Sequence, residues 1–279
     1  MLRVTTQYKS LDDVLGIVLG GSVARGFADD SSDVEIYVYA HKRIPSSEEV
    51  RTIMKNLNSQ MTRSSDMIWN HEVWGPHTFF ALEDVKFELG YRIFPEIKER
   101  INRYLSGEDI LSHHTNESDT PFGHYTSGIA SCVLSSAVLY EDKSGDFSDF
   151  RSKLQDFPQA LQKKLFDHYF NDASIMHKVK LKSSAQRNDD FSFNSQLASI
   201  IRSMNIALFA LNETHFPGDK WNGFYIEQFK VKPIIYEPTL RIILEESNAG
   251  PRNKCYKYVC LERLLKEINN LARQRKNGD

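Results

Sequence analysis

Short apolar runs separated by turn-forming residues dominate the first hundred positions. Residues 15–19 (LGIVL) form an apolar run that stops at Gly20-Gly21, and residues 34–40 (VEIYVYA) are rich in Val, Ile and Tyr. Runs of this length bounded by turn residues predict buried strands. Two further strands are predicted at 77–82 and 85–94, joined by a tight connection at Glu83-Asp84. The N-terminal part of the chain therefore predicts a sheet.

A helical spacing of apolar residues appears between the strands and takes over in the second half. Ser46 and Glu49 form a capping-box pattern before an apolar stripe, and Pro95 suits the first turn of another helix. The strongest helical stripe spans 196–212, and a final amphipathic helix is predicted at 261–271. The polar stretch 106–123 is the predicted boundary. We expect an α+β protein: a mixed β-sheet domain with flanking helices over 1–110, and an all-helical domain over 120–279.

Composition and charge narrow the classes of function. The 279 residues carry 35 basic and 37 acidic side chains, so the formal net charge is −2. Because no global basic field exists, long nucleic acid is a poor default partner. Three scattered cysteines form neither a disulfide framework nor a zinc pattern. No stretch has the roughly 18 apolar residues of a membrane span, so we expect a cytoplasmic protein without a membrane partner.

Two acidic residues interrupt the second predicted strand. Asp33 and Glu35 stand two residues apart and therefore point to the same face of that strand. A charged side chain near a core costs several kcal/mol unless something pairs with it, and two neighbouring carboxylates suit a divalent cation. The alternative is a half-exposed strand with two solvated acids. That alternative leaves the glycine turn upstream unexplained.

The glycine turn supplies what a phosphate chain needs. Gly21 and Ser22 follow the first predicted strand, about ten residues before the acids. Glycine permits a sharp turn and close backbone approach, and a helix that begins there presents unpaired N–H groups to an anion. Arg25 follows one turn later and is a candidate phosphate contact, although an exposed and unengaged arginine explains it equally well.

The two motifs together carry a family resemblance. Gly21-Ser22-x-x-Arg25-Gly26 followed by Ser32-Asp33-x-Glu35 resembles the nucleotidyltransferase superfamily that shares its catalytic fold with DNA polymerase beta. The segment SDVEIYVY, residues 32–39, resembles that of bacterial enzymes that nucleotidylate lincosamide and aminoglycoside antibiotics. Residues 208–221 (LFALNETHFPGDKW) resemble the helical C-terminal domain of such small-molecule nucleotidyltransferases.

The resemblance implies a reaction and a set of residues. A substrate hydroxyl would attack the α-phosphate of a nucleoside triphosphate, with two Mg²⁺ ions held by Asp33 and Glu35. A third catalytic carboxylate is expected from a later strand, and Glu88 in VKFELGYR is the candidate because it faces away from the apolar side of its strand. Gly21, Ser22, Arg25 and Lys220 are the expected nucleotide-binding residues. A homodimer is also an option that the resemblance raises.

Each of the weaker assignments has a structural alternative. Glu88 reads equally as a surface residue paired with Lys86 or Arg92, and Lys220 as an exposed loop lysine beside Trp221. A general base is not placed by the sequence. The other titratable candidates read as helix caps or solvated loop residues as readily as catalytic groups: Asp189, Asp190, His113, His114 and His124.

Three functions follow, in order of preference. The first is an enzyme that transfers a nucleoside monophosphate, with AMP expected from ATP, to a hydroxyl of a small molecule such as an antibiotic, with resistance as the role. The second has an RNA or a protein as acceptor, which the neutral overall charge disfavours for RNA. The third is a non-catalytic nucleotide-binding or antitoxin-like module. The presence of both strand acids and the Gly-Ser turn places it last.

Overall fold

The computed structural model describes residues 1–61, 68–71, 74–115, 121–245 and 251–278. The chain forms two compact units, Met1–Asp156 and Phe157–Asp279. The strands are β1 Val14–Leu19, β2 Val34–Ala40, β3 Gln60–Met61, β4 Trp69–His71, β5 Gly75–Leu82, β6 Val85–Ile93, β7 Ser112–His113, β8 His124–Tyr125 and β9 Ala137–Glu141.

The helices lie around the sheet in the first unit and make up the second. In the first unit they are α1 Leu2–Tyr8, α2 Gly21–Arg25, α3 Ser47–Leu57, α4 Phe94–Leu105, α5 Thr126–Ser135 and α6 Asp146–Lys153. In the second unit they are α7 Gln159–Met176, a π-helical turn His177–Leu181, α8 Lys182–Arg187, α9 Asp190–Leu211, α10 Asn222–Glu227, α11 Tyr236–Glu245 and α12 Pro251–Gly278. The protein is α+β, as the sequence predicts. Among the helices that the structure describes, none has the length and apolarity to cross a membrane.

The first unit is built on a mixed sheet. Its strand order is β3-β5-β6-β2-β1-β9, with β4 also paired to β5. The β2–β6 pair is parallel and the remaining pairs of this sheet are antiparallel. Strands β7 and β8 form a separate antiparallel pair. The parallel pair at the centre aligns β2, which carries Glu35, with β6, which carries Glu88.

One face of this sheet forms the apolar core. Alternate residues of β2 and β6 meet there in register, with Ile36 beside Leu89 and Val38 beside Tyr91. These four residues belong to the buried cluster that α1 and α3 cover. Helix α3 begins with the predicted capping box, because the Ser46 side chain accepts from the Glu49 backbone N–H and the Glu49 side chain accepts in return.

The β5–β6 hairpin follows the predicted pattern. The strands pair up to Leu82 and Val85, so Glu83 and Asp84 form a two-residue loop. Both loop residues have left-handed backbone angles, with φ of 51° and 66°. A two-residue loop with positive φ matches the right-handed twist of its flanking strands. The hairpin thereby sets which residues of β5 lie beside those of β6.

The first unit extends further along the chain than the predicted 1–110. Residues after 123 were expected to be helical, but Ala137–Glu141 forms β9, which pairs with β1 at the edge of the sheet. Helix α6 follows it in the same unit, which runs to Asp156. A five-residue strand whose partner lies more than a hundred residues earlier has no local signal strong enough to distinguish it from helix.

The second unit is helical, as predicted. Helix α9 begins at Asp190 rather than 196, and α12 spans Pro251–Gly278 rather than 261–271. The Asp189 side chain accepts a hydrogen bond from the Ser192 backbone N–H at 3.0 Å, which caps α9. Asp190 forms an ion pair with the buried Lys254 of α12. Both acids therefore have structural partners, Asp189 as the cap that the alternative predicts and Asp190 through an ion pair.

Candidate functional site

The predicted acids lie on the sheet face opposite the apolar core. Glu35 of β2 and Glu88 of β6 are Cα partners in the parallel register, so their side chains leave the sheet on the same side. Asp33 immediately precedes β2, two residues before Glu35. All three residues are partly exposed. The structure thus brings the third predicted carboxylate onto the strand next to the first two.

The glycine turn after β1 packs directly against Glu35. The Gly20 backbone N–H donates to the Glu35 carbonyl oxygen at 2.8 Å. Gly21 has a left-handed φ of 63°, and a Cβ atom at this position would overlap the Glu35 carboxylate. Glycine at position 21 is therefore required by both its backbone angle and this contact. Sequence reasoning assigned the glycine to phosphate approach and missed the contact with Glu35.

Tyr37 orients the Glu35 carboxylate. Its hydroxyl donates to Glu35 Oε2 at 2.7 Å. The ring fits because glycines lie on both sides of it, Gly20 just after β1 and Gly90 within β6: a Cβ on Gly20 would lie 2.5 Å from Tyr37 Cε2, and one on Gly90 would lie 2.8 Å from Tyr37 Cδ1. Burial raises the pKa of Tyr37 well above its ordinary value, with Cys132 and Glu35 adding to the rise. The hydroxyl therefore remains a donor at any physiological pH.

The structure gives Glu88 a histidine as partner. His77 Nε2 lies 3.4 Å from Glu88 Oε1, in a pair whose side chains are 4% and 27% exposed respectively. His77 Nδ1 lies 2.8 Å from the Gly75 carbonyl oxygen, which it reaches as a donor. Arg92 Nη2 lies 3.3 Å from His77 Nε2. Sequence reasoning named Arg92 and Lys86 as alternative partners and missed His77.

Arg92 links the surroundings of the two carboxylates. Its Nη1 donates to the Tyr91 carbonyl oxygen at 2.9 Å. Its guanidinium carbon lies 5.2 Å from the centroid of the Tyr37 ring, a cation–π distance. The side chains from Glu35 through Tyr37, Arg92 and His77 to Glu88 form a continuous set of contacts, which we call the acid-face network.

The described carboxylates do not converge on one point. Across the described part of the chain, no group of three or more His, Cys, Asp or Glu side chains lies close enough to hold a metal ion. The contacts of each carboxylate explain this. The Glu35 carboxylate is turned toward Gly21 and Tyr37, whereas the Glu88 carboxylate is turned toward His77. The shared Mg²⁺ site of Asp33 and Glu35 therefore stays a prediction. Carboxylate oxygens remain the donor type that this cation prefers.

Three of the predicted nucleotide-binding residues lie on α2, next to these acids: Gly21, Ser22 and Arg25. Arg25 Nε donates to Ser135 Oγ at 3.0 Å, so Arg25 is engaged and partly buried, unlike the exposed alternative. Ser22 stands next to Gly21, and its hydroxyl makes no hydrogen bond with the residues that the structure describes. The roles of Gly21, Ser22 and Arg25 toward a nucleotide stay predictions.

A loop organised by Asp29 leads into the site. The Asp29 carboxylate accepts from the Ser31 backbone N–H at 3.0 Å and from the Ser31 and Ser32 hydroxyls at 2.6 and 3.0 Å. These hydrogen bonds lower the pKa of Asp29. Sequence reasoning treated this segment only as a polar loop. An Asp followed two and three residues later by Ser is a recognisable turn signal that could have found it.

The remaining candidates have local partners or lie in the other unit. Lys220 is exposed in the turn before α10 of the second unit, next to Asp219, which accepts from Arg202 Nε at 2.6 Å. Its role in nucleotide binding stays a prediction. His113 Nε2 lies 2.7 Å from Asp109 Oδ1, and the Trp74 indole donates to His124 Nδ1 at 2.8 Å. These two histidines are hydrogen-bonded to side chains.

Comparisons with known proteins were made on the sequence and on the fold. Residues 126–222 match the family model described as a domain of unknown function, DUF4037. No curated protein matches the sequence. The structure is similar to that of a nucleotidyltransferase-like protein from Exiguobacterium sibiricum, with 10% sequence identity and a TM-score of 0.46, over 98% of this chain and 77% of that one.

Proposed function

We propose that the protein is a magnesium-dependent nucleotidyltransferase that moves a nucleoside monophosphate, AMP from ATP, to a hydroxyl of a small molecule. The observation that carries the proposal is the pairing of Glu35 with Glu88 on adjacent parallel strands, with Asp33 two residues before Glu35. Three acids thus lie on the sheet face opposite the apolar core, and none of them belongs to that core. A reaction that needs metal ions and proton transfer accounts for them.

The family resemblance of the motifs suggests a role for each residue. Asp33 and Glu35 would hold the Mg²⁺ ions, which when bound neutralise charge on the phosphates and on the entering and leaving oxygens. Glu88, on the neighbouring strand, would accept the proton of the attacking hydroxyl. Gly21, Ser22 and Arg25 would contact the phosphates from α2, and Lys220 is a further candidate for them. A cationic antibiotic such as an aminoglycoside, or a lincosamide, is the acceptor that the motif resemblance suggests.

Nucleotide binding is the first step to test. Thermal unfolding is recorded with MgCl₂ and a non-hydrolysable analogue of ATP, GTP, CTP or UTP. A ligand at about 100 times its dissociation constant stabilises the native state by roughly 2.7 kcal/mol, a rise of about 5–10 °C for a chain of this size. We expect the largest rise with the ATP analogue, and no rise without the metal.

Asp33→Asn tests the metal assignment. Because the change removes one negative charge from the proposed metal ligands, we expect it to abolish the Mg²⁺-dependent rise. It should also lower pyrophosphate release by at least about 10²-fold, as measured with an accepted small-molecule hydroxyl. The matched control is Asp30→Asn, because Asp30 is an exposed acid in the loop three residues earlier.

The other outcomes distinguish the alternatives. A nucleotide that binds without release of pyrophosphate in the presence of any acceptor supports the non-catalytic module. Release that requires an RNA or a protein supports a macromolecular acceptor. Asp33→Asn with unchanged binding and turnover contradicts the metal assignment.

A further inference from the structure

We infer that Tyr37 and His77 are positioning residues of the proposed reaction, Tyr37 for the cation-binding carboxylate of Glu35 and His77 for the proton-accepting carboxylate of Glu88. The inference rests on the proposed function and concerns how its two carboxylates are held. Tyr37 lies within the SDVEIYVY segment but the family resemblance assigns it no catalytic role, and His77 lies outside the motifs that carry the resemblance. Both residues contact the carboxylates within the acid-face network.

Tyr37 holds one oxygen of the Glu35 carboxylate. The hydroxyl donates to Oε2, while Oε1 lies against Gly21 at the turn after β1. A carboxylate that binds a cation through one oxygen and accepts a protein hydrogen bond through the other is oriented before the cation arrives. Partners of this kind tune metal affinity without touching the metal.

Two glycines leave the space that the Tyr37 ring occupies. Gly20, just after β1, and Gly90, within β6, flank the ring, and a side chain at either position would collide with it. Glycine weakens a strand interior because it adds backbone entropy and no packing, so Gly90 within β6 indicates a geometry that the sheet accommodates for this ring. The Arg92 guanidinium then covers the ring at 5.2 Å.

His77 holds Glu88 from the neighbouring strand. On the antiparallel β5–β6 ladder His77 stands opposite Gly90, two positions from the residue opposite Glu88, which makes it a diagonal neighbour. Its Nδ1–H donates to the Gly75 carbonyl, so Nε2 faces Glu88 and Arg92. Nε2 donates to Glu88 when the ring is protonated, and in the neutral ring it accepts from Arg92.

Tyr37→Phe tests the first half of the inference. Mn²⁺ binding to the intact protein, measured by electron paramagnetic resonance of the free ion, should weaken by about 10–100-fold. The control is Tyr39→Phe, because Tyr39 lies on the same face of β2 and packs against Phe94 and Phe147. A tyrosine hydroxyl with only a structural role would lower the melting temperature and leave Mn²⁺ affinity unchanged. That result would overturn the assignment of Tyr37.

The His77 variants test the second half. His77→Ala should lower kcat for pyrophosphate release by at least about 10-fold with little change in KM for the nucleotide, and His77→Gln, which keeps a polar atom near Nε2, should restore part of it. Equal losses in the two variants, or a change confined to KM, would overturn the assignment of His77. Wild-type protein that binds neither Mn²⁺ nor nucleotide would instead overturn the proposed function, and the inference with it.

Discussion

The two faces of the sheet in the first unit share the same strands and have opposite chemistry. Toward α1 and α3, Ile36 and Leu89 lie side by side and are fully buried. One residue away along each strand, Glu35 and Glu88 lie side by side on the other face and remain partly exposed. Because side chains alternate with a period of two, adjacent residues serve the core and the site separately.

Single substitutions in the same strands should therefore alter either the stability of the fold or the chemistry of the site. On the apolar face the side chains contact each other and helices, so a change is expected to alter the free energy of unfolding. On the acid face the side chains are held by hydrogen bonds and charge, with Tyr37 and His77 as partners. A change there is expected to alter binding and turnover.

The largest expected effect comes from substituting neighbouring residues of β6. Leu89→Ala removes a fully buried side chain from the core cluster, so it should lower the free energy of unfolding by about 2–5 kcal/mol. Glu88→Gln should change it by less than about 0.5 kcal/mol and lower turnover by at least about 10²-fold. Urea unfolding and pyrophosphate release measure the two effects. Similar stability losses in both variants would contradict the separation of the faces.

A smaller effect is expected at the glycine turn. Gly21→Ala places a Cβ atom against the Glu35 carboxylate at a left-handed φ. The backbone strain alone costs about 1–2 kcal/mol. Gly26→Ala is the matched control, since Gly26 also has a left-handed φ, of 79°, with nothing within 4 Å of the added atom.

A comparison of the two glycine variants separates the cost of backbone strain from the effect of the contact with Glu35. Both variants should lose similar stability from the backbone, whereas Gly21→Ala alone should weaken Mn²⁺ binding because it displaces Glu35. Calorimetric unfolding and Mn²⁺ titration are the measurements. If Gly26→Ala weakens Mn²⁺ binding equally, the contact between Gly21 and Glu35 has no role in the site.

The smallest expected effect is a pH dependence on the helix that covers the apolar face. Hydrogen bonds from the Arg43 side chain and the Ser46 backbone lower the pKa of Glu49 to about 2. Because the pKa of Glu49 is lower in the folded than in the unfolded protein, its ionised carboxylate stabilises the fold above about pH 5. This stabilisation is lost as the pH falls toward 2. Glu49→Gln should therefore be less stable than wild type at pH 6, with the difference shrinking at pH 3.

The control for this helix is Glu48→Gln, at an exposed neighbouring position on α3. Urea unfolding of the three proteins at both pH values measures the difference. If the difference in free energy of unfolding between wild type and Glu49→Gln stays constant from pH 6 to pH 3, the Glu49 carboxylate does not have this role. Turnover at pH 6 should be the same in all three proteins, because α3 lies on the apolar face.

Several elements were predictable because their signals are local. The capping box at Ser46 and Glu49, the two-residue loop at Glu83 and Asp84, and the strand over Val34–Ala40 are each encoded within a few neighbouring residues. Strand β9 and the end of the first unit at Asp156 were not predicted, because β9 exists through its pairing with β1. Long-range pairing leaves little trace in the strand's own composition.

The sequence by itself determined the residue types of the site and their spacing: a Gly-Ser turn, Asp33 and Glu35 two residues apart, and Glu88 on the polar side of a later strand. Which side chains lie next to these residues depends on the tertiary structure. The parallel register set Glu88 beside Glu35, and the β5–β6 pairing brought His77 to Glu88. The physical reason is that alternation along a strand is a local property, whereas register and strand order depend on which distant strands share a core.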